Sequence, residues 1–364
     1  MTDTAQGGRE AAVFERIEAF RRRRPRLREE VVTLAHGAGG KASAALLAAV
    51  FLPAFADDES AAQTDAAVLR LPSGERLAFS TDSYVVKPLR FPGGSVGHLA
   101  VHGTVNDLAM MGAVPLALSA AFVLEEGFAI DALREVVADM AEAAAAAGVS
   151  IVTGDTKVVD RGAADGMYIS TAGVGLIPAE RDLSAEHVRQ GDVILCSGTI
   201  GDHGTAVMLA RGDLALEADD IRSDTAPLNG LVESLLKAAP STRWLRDATR
   251  GGVGTVCNEL ARDSNLTVVL EEPDLPVRPA VAAACELLGI DPLYVANEGK
   301  LIAVVGPEES EAALSAMRGH PHGADATQIG QIHSTPPGIV VLRTTFGGTR
   351  IVDMLVGDPL PRIC

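Results

Sequence analysis

The spacing of apolar positions changes along the chain, and each change marks an element. Short β-branched or apolar runs at 78–80, 117–123, 151–153 and 168–176 predict strands. Stretches with apolar residues on one helical face, at 46–51, 99–111 and 133–147, predict helices, and Gly148 ends the last of them. A second set begins after Gly191: strand 193–196, helices 203–210, 228–238 and 254–262, strand 267–270, helix 280–288 and strand 301–305. Two blocks of mixed helix and strand imply an α+β chain with two α/β-type domains. The polar stretch from Glu180 to Gly191 separates them, giving domains at 35–180 and 181–346. From Gly347 onward, Gly357, Pro359 and Pro361 predict a flexible, extended tail over 347–364 rather than a packed element.

Residues 1–34 stand apart as an N-terminal extension. The run Arg21-Arg22-Arg23-Arg24-Pro25-Arg26 lies among Glu10, Glu15, Glu18, Glu29 and Glu30. A targeting or nucleic-acid arm is one reading of such a run. Transit peptides are poor in acids, so the glutamates favour a short extension with a charged helix.

Composition narrows the function classes. The chain has 364 residues, enough for two cores, and its 47% hydrophobic and 22% charged content is that of a globular protein. The net charge of −17 repels phosphate backbones, so neither nucleic acid nor an anionic membrane is expected as a main partner. Apolar stretches such as 143–147 fall far short of a membrane span. No apolar core precedes a small-residue cleavage site near Met1, and a cytoplasmic location is expected. Cys196, Cys257, Cys285 and Cys364 are widely spaced, which argues against a disulfide scaffold or a structural zinc site.

Three groups of residues carry candidate chemistry. The first is His36-Gly37-Ala38-Gly39-Gly40-Lys41. Gly37, Gly39 and Ala42 fit a dinucleotide fingerprint loosely, but the acids some 20 residues on, Asp57 and Asp58, lie in a Pro/Ala/Asp loop. Ala35 occupies the first glycine position of a Walker A loop and rules that motif out. Either a simple glycine turn or a flap that wraps phosphates with backbone N–H groups fits the cluster.

The second group is Asp65, Asp82, Asp107 and Asp155, each at a strand end or helix start beside small residues. Single aspartates at such places usually cap turns or helices. Together they offer hard oxygen ligands for Mg²⁺, and Lys157 offers a point charge for a phosphate.

The third group lies in the second half. Gly198 to Gly204 and Asp247 to Gly252 each bring glycines to a helix entry, a geometry suited to anions. His203 has no second His or Cys at ligand spacing. Glu298, between Asn297 and Gly299, is either a turn carboxylate or a general base. The sequence ends Pro359-Leu360-Pro361-Arg362-Ile363-Cys364, and from Gly357 the extended reach is roughly 26 Å at about 3.3 Å per residue. That suffices to carry a thiol to a distant pocket.

With these residues in order, the chain resembles the hydrogenase maturation factor HypE family, within the AIR-synthase-related (PurM-like) ATP-binding superfamily. The likeness runs from His36 to Cys364. It rests on the glycine cluster, Thr81-Asp82-Ser83, Gly103-Thr104-Val105-Asn106-Asp107, Gly154-Asp155-Thr156-Lys157, the segments at 198–204 and 247–252, Asn297-Glu298-Gly299 and the terminal Pro-Arg-Ile-Cys. The last motif is the specific one. Where the superfamily often carries an acidic pair, this chain has Thr64-Asp65, and the Arg-rich extension has no counterpart.

The resemblance implies a PurM-like fold whose N-terminal sheet pairs across a homodimer. It implies ATP and Mg²⁺ as cofactors, with Asp65, Asp82, Asp107 and Asp155 at the metal. Gly37, Gly39, Gly40, Lys41, Asn106, Gly154, Thr156, Asp202, Arg250 and Gly251 would hold the nucleotide. The implied reaction is ATP-dependent dehydration of an S-carboxamide on Cys364 to a thiocyanate, source of the cyanide ligand of nickel–iron hydrogenases. Glu298 and Lys157 are then catalytic. The carbamoyltransferase HypF would load the thiol, and the HypC–HypD complex would receive the product. A kinase or ligase of the same superfamily acting on a free small molecule is the alternative.

Overall fold

The structure, a computed structural model, describes residues 27, 29–55, 64–212, 220–357, 360 and 362–364. The Arg-rich run, and with it the expected charged helix, lies outside the described residues. The chain divides into two compact units, one within 1–62 and 355–358, the other comprising 63–354 and 359–364.

In the smaller unit a turn at Leu34–Gly37 leads into helix Lys41–Leu46, which continues as a π-helical stretch, Leu47–Phe51, and a final turn, Leu52–Phe55. A helix start leaves its first N–H groups without intrahelical partners. Here the N–H of Lys41 donates to the Leu355 carbonyl at 2.9 Å and that of Ala42 to Val356 at 3.3 Å. Position 40 must be glycine for this approach, because a Cβ there would stand 2.4 Å from the Leu355 oxygen. The glycine cluster is therefore bonded to residues 355–356 of its own unit.

The larger unit is built on two mixed sheets. Strands β1 (Ala67–Arg70), β2 (Arg76–Tyr84), β5 (Val114–Glu125), β6 (Ser150–Val159) and β7 (Met167–Ile177) form the first, in the order β1-β2-β7-β5-β6. Only β5 and β6 run parallel. A small hairpin pairs β3 (Arg90–Phe91) with β4 (Gly94–Ser95). Along β7 every second residue from Met167 to Ile177 is buried, as a half-buried strand requires. That face lies on helix Val96–Met110, and a Cβ at Gly173 would collide with Leu118, Thr104 and Leu108. The edge strands differ: β1 is exposed throughout and β6 at every residue but the last.

The second sheet has the order β14-β13-β10-β12-β8-β11-β9, comprising β8 (Val193–Cys196), β9 (Trp244–Asp247), β10 (Thr267–Glu271), β11 (Leu301–Val305), β12 (Thr327–His333), β13 (Ile339–Arg343) and β14 (Thr349–Val352). Its interior strand β11 is apolar without alternation because both of its faces are buried. One face packs on helix Gly252–Ser264, the other on helices Asn229–Ala238 and Ser310–Arg318. β14 corrects the expectation of an unpacked tail from Gly347: residues 349–352 pair antiparallel with β13, and Val352 is buried.

Helix Val96–Met110 is buried nearly all round, which no surface helix would be. It lies on the first sheet and on helix Ile130–Ala147, while Ala109 and Met110 join the core beneath β8 and β11. Residues at its C-terminal end thus stand where the two sheets approach each other.

Candidate active site

Three carboxylates converge at that junction. Asp107 comes from the last turn of helix Val96–Met110, Asp65 from the residues just before β1, and Asp247 from the end of β9. One oxygen of each lies within 4.8 Å of the others. Ser80 on β2 donates to Asp107 Oδ2 at 2.5 Å. Arg246 Nε pairs with Asp65 at 2.9 Å, and its Nη2 with Glu259 at 3.1 Å.

Burial and the crowding of like charges push all three carboxyls upward in pKa, Asp247 to about 6, against the opposing pull of Arg246 on Asp65 and Asp247. Asp247 Oδ2 is buried with no hydrogen-bond partner among the described residues. Three hard oxygens that cannot all ionise unaided, one of them orphaned, fit a divalent cation such as Mg²⁺. Arg246 supplies part of the positive charge there.

A second set of charges adjoins the trio. Asp82 on β2 pairs with Arg250 at 3.7 Å, and Gly251 follows Arg250 at the entry to helix Gly252–Ser264. Gly251 and Gly252 both have positive φ, which lets the backbone turn beneath Leu293 and Val295. Cys364, Asp82 and Glu298 all lie near enough to Arg250 to favour its charged form. Glu298 is buried. Desolvation, then Asp247, Asp82 and Asp224, raise its pKa well above the usual range, and Arg250 opposes them.

The end of the chain is seated in this site. Cys364 is 8% exposed and belongs to the same apolar cluster as Tyr84 and Phe91. Its main-chain oxygen accepts from the Val85 N–H at 3.2 Å, and Arg362 reaches the Val85 carbonyl and Asp165. His203 bonds the Ile363 carbonyl at 2.9 Å, Arg211 that of Arg362 at 2.9 Å, and the side chains of Leu360 and Ile363 are buried.

The remaining expected site residues make other contacts. Asp155 and Lys157 form an exposed ion pair at 2.5 Å on edge strand β6, with Thr156 exposed between them. A Cβ at Gly154 would stand 2.0 Å from the Ala120 oxygen, so this glycine serves the close approach of β5 and β6. Asp202 is engaged by Thr199 at 2.6 Å and Arg278 at 3.0 Å. Asn106 is a buried brace: its amide nitrogen donates to the Ala226 and Glu298 carbonyls, and its oxygen accepts from Leu228 N–H. Gly37, Gly39, Gly40 and Lys41 belong to the smaller unit. Asp247 was legible only as part of a glycine-bearing motif, not as a ligand. Arg246 and Asp224 carried no sequence signal of their own.

These two sheets, with a carboxylate trio at their junction, are those of an AIR synthase related protein. Residues 63–177 match the model of the N-terminal domain of such proteins, and residues 189–343 that of the C-terminal domain. At higher resolution the chain belongs to the carbamoyl dehydratase HypE family. It is 54% identical to carbamoyl dehydratase HypE of Rhodobacter capsulatus over 341 residues, 93% of this chain and 99% of that protein. A crystal structure of hydrogenase maturation protein HypE in complex with ATP is 48% identical, with a TM-score of 0.77, over 92% of this chain and 100% of that one. A chain of a crystal structure of a HypE–HypF complex is 47% identical, with a TM-score of 0.80, over 85% of this chain and 100% of that one.

Proposed function

We propose that this chain dehydrates an S-carboxamide carried on its own Cys364 to a thiocyanate, at the expense of ATP, and so supplies the cyanide ligand for nickel–iron hydrogenase maturation. The observation that carries this reading is the seating of the buried Cys364 near Arg250, the cation that also pairs with Asp82, within one chain. A kinase or ligase for a free small molecule has no use for its own tail in that place.

The chemistry follows from the groups present. A carboxamide oxygen is a poor leaving group, and transfer of the γ-phosphoryl group of ATP onto it turns it into a good one. The bond to ADP breaks as the bond to the amide oxygen forms. The carbon–oxygen bond then breaks, phosphate departs, and the nitrogen gives up both hydrogens to leave S–C≡N. Glu298 accepts a proton from that nitrogen, and its raised pKa suits the task. Arg250, beside Cys364, offsets negative charge at the reacting end. Mg²⁺ held by Asp65, Asp107 and Asp247 would neutralise charge on the phosphates. Tethering keeps the effective concentration of the carboxamide high.

HypF would load the thiol and HypC–HypD would take the product, both in the cytoplasm. Among the described residues, no helix is long and apolar enough to cross a membrane. A homodimer completes the reading. Leu69, Phe79, Val114 and Leu116 leave apolar area exposed on the first sheet, and a second copy would cover it. Lys157 and Asp155 project from β6 on that sheet, so Lys157 would act in the site of the partner subunit.

Mass spectrometry of the carbamoylated chain tests the reaction. Addition of ATP should remove the mass of one water from the peptide containing Cys364. Turnover of ATP with no change in that peptide would sink the proposal.

A further inference from the structure

One loop is linked to both the carrier end and the candidate base, to the former through His203. Its residues Ser223 and Asp224 are consecutive, and their side chains point to different partners. Asp224 Oδ1 accepts from the Glu298 N–H at 3.1 Å, and its Oδ2 pairs with Lys300 at 3.2 Å, both side chains being well buried. A Cβ at Gly299 would stand 1.9 Å from the Asp224 carbonyl, so the loop and the segment from Asn297 to Lys300 are in close backbone contact. Ala226 N–H donates to the Glu298 carbonyl at 3.5 Å.

Ser223 works in the other direction. Its Oγ accepts from the Thr225 N–H at 3.1 Å and lies 2.8 Å from His203 Nδ1; the Ile363 carbonyl on the far side of that ring can only accept, so Nδ1 takes the Ser223 hydrogen. His203 must then carry its proton on Nε2, the atom that reaches the Ile363 carbonyl at 2.9 Å. The ring is fully buried and edge-on to Phe91, and burial lowers its pKa, so it stays neutral with that tautomer. The loop itself is fixed by the Ser223 N–H, which donates to the Pro92 carbonyl at 2.7 Å.

We propose that Ser223 and Asp224 are positioning residues that set the carrier thiol and Glu298 in register, Ser223 through His203 and the Ile363 carbonyl, Asp224 through the Glu298 backbone. This rests on the reading that Glu298 acts on a group held by Cys364. Neither residue touches the reacting atoms. Their contribution is that one rigid loop references both ends of the reaction, where misplacement by about 1 Å can cost on the order of 10²-fold in rate.

The test uses the full chain carbamoylated at Cys364, with single-turnover dehydration followed by mass spectrometry. Asp224→Ala should slow dehydration by about 10²-fold while the KM for ATP stays within a factor of about two. Asp224→Asn, which keeps an oxygen acceptor for the Glu298 N–H, should recover most of the rate. Ser223→Ala leaves the buried ion pair intact and serves if the Asp224 variants fold poorly. It should slow dehydration and speed iodoacetamide labelling of Cys364 several-fold. Parental rates in Ser223→Ala and Asp224→Ala, or Asp224→Asn as slow as Asp224→Ala, would overturn the inference. Glu298→Gln run in parallel separates the two levels. If it dehydrates at the parental rate, the functional reading fails, whereas a stalled Glu298→Gln beside unaffected loop variants removes only the positioning role.

Discussion

The main-chain oxygen of Cys364 accepts a hydrogen bond from the N–H of Val85 at 3.2 Å. Val85 follows Tyr84, the last residue of β2, and the same strand carries Ser80 and Asp82. One strand therefore supports the carboxylate trio through Ser80, pairs with Arg250 through Asp82, and leads directly into the seat of the tail.

The cation site should depend on the residues that crowd there. Asp107→Ala and Asp247→Asn are each expected to weaken Mg²⁺-dependent nucleotide binding at least about tenfold, equivalent to about 1.4 kcal/mol. Isothermal calorimetry with and without Mg²⁺ measures this, and unchanged affinity in both variants would remove the trio from the site.

The same crowding gives a pH signature. Asp247 is held at about 6 in the folded chain against an ordinary 3.8. Between those values the folded state binds more protons than the unfolded state, so cation-free stability declines as pH rises through about 6. Mg²⁺ binds the ionised carboxylates, and its stabilisation should therefore grow between about pH 5 and about pH 7. Thermal melts at a fixed Mg²⁺ concentration across that range check the sign; a constant increment contradicts it.

Carrier and base are separable. Cys364→Ala should abolish thiocyanate formation and leave nucleotide binding intact. Glu298→Gln should still be carbamoylated, then dehydrate about 10²–10⁴-fold more slowly, which time-resolved mass spectrometry resolves. A parental rate in Glu298→Gln would place the base elsewhere.

Lys157 on the exposed edge strand leads to a complementation experiment. If it serves the partner subunit, Lys157→Ala and Glu298→Gln chains mixed and re-associated form hybrids with one intact site. About a quarter of parental activity should return, since half the dimers are hybrid and half their sites are whole. No recovery on mixing, with exchange of subunits verified, places both residues in one chain's site.

The strands and helices that the sequence revealed were those with an uninterrupted period. The run at 193–196 is β8, that at 301–305 is β11, and helix Ile130–Ala147 ends at Gly148, whose φ of 69° suits only a residue without a side-chain clash. β9 went unread because Trp244-Leu245-Arg246-Asp247 mixes charge into a strand whose charged residues face the site. β14 was hidden by the glycines before it, which make a hairpin turn there rather than an unstructured tail. Asp65 and Asp107, two of the trio, were readable as acids beside small residues, as was Asp82, which pairs with Arg250 instead. The sequence grouped Asp155 with them because local surroundings look alike, but strand order, which places β6 at an edge, is not written in any local pattern. Asp224 was invisible for the converse reason: its importance comes from what the fold brings to it.

β9 has one more property. Trp244 is the only tryptophan in the chain and stands two residues from Arg246, on the same side of the strand. Arg246 holds Asp65 in the cation-free state, so any ion that takes over that carboxylate alters the field around the indole. The chain thus carries a built-in optical reporter, and its emission should respond to cation binding without a label.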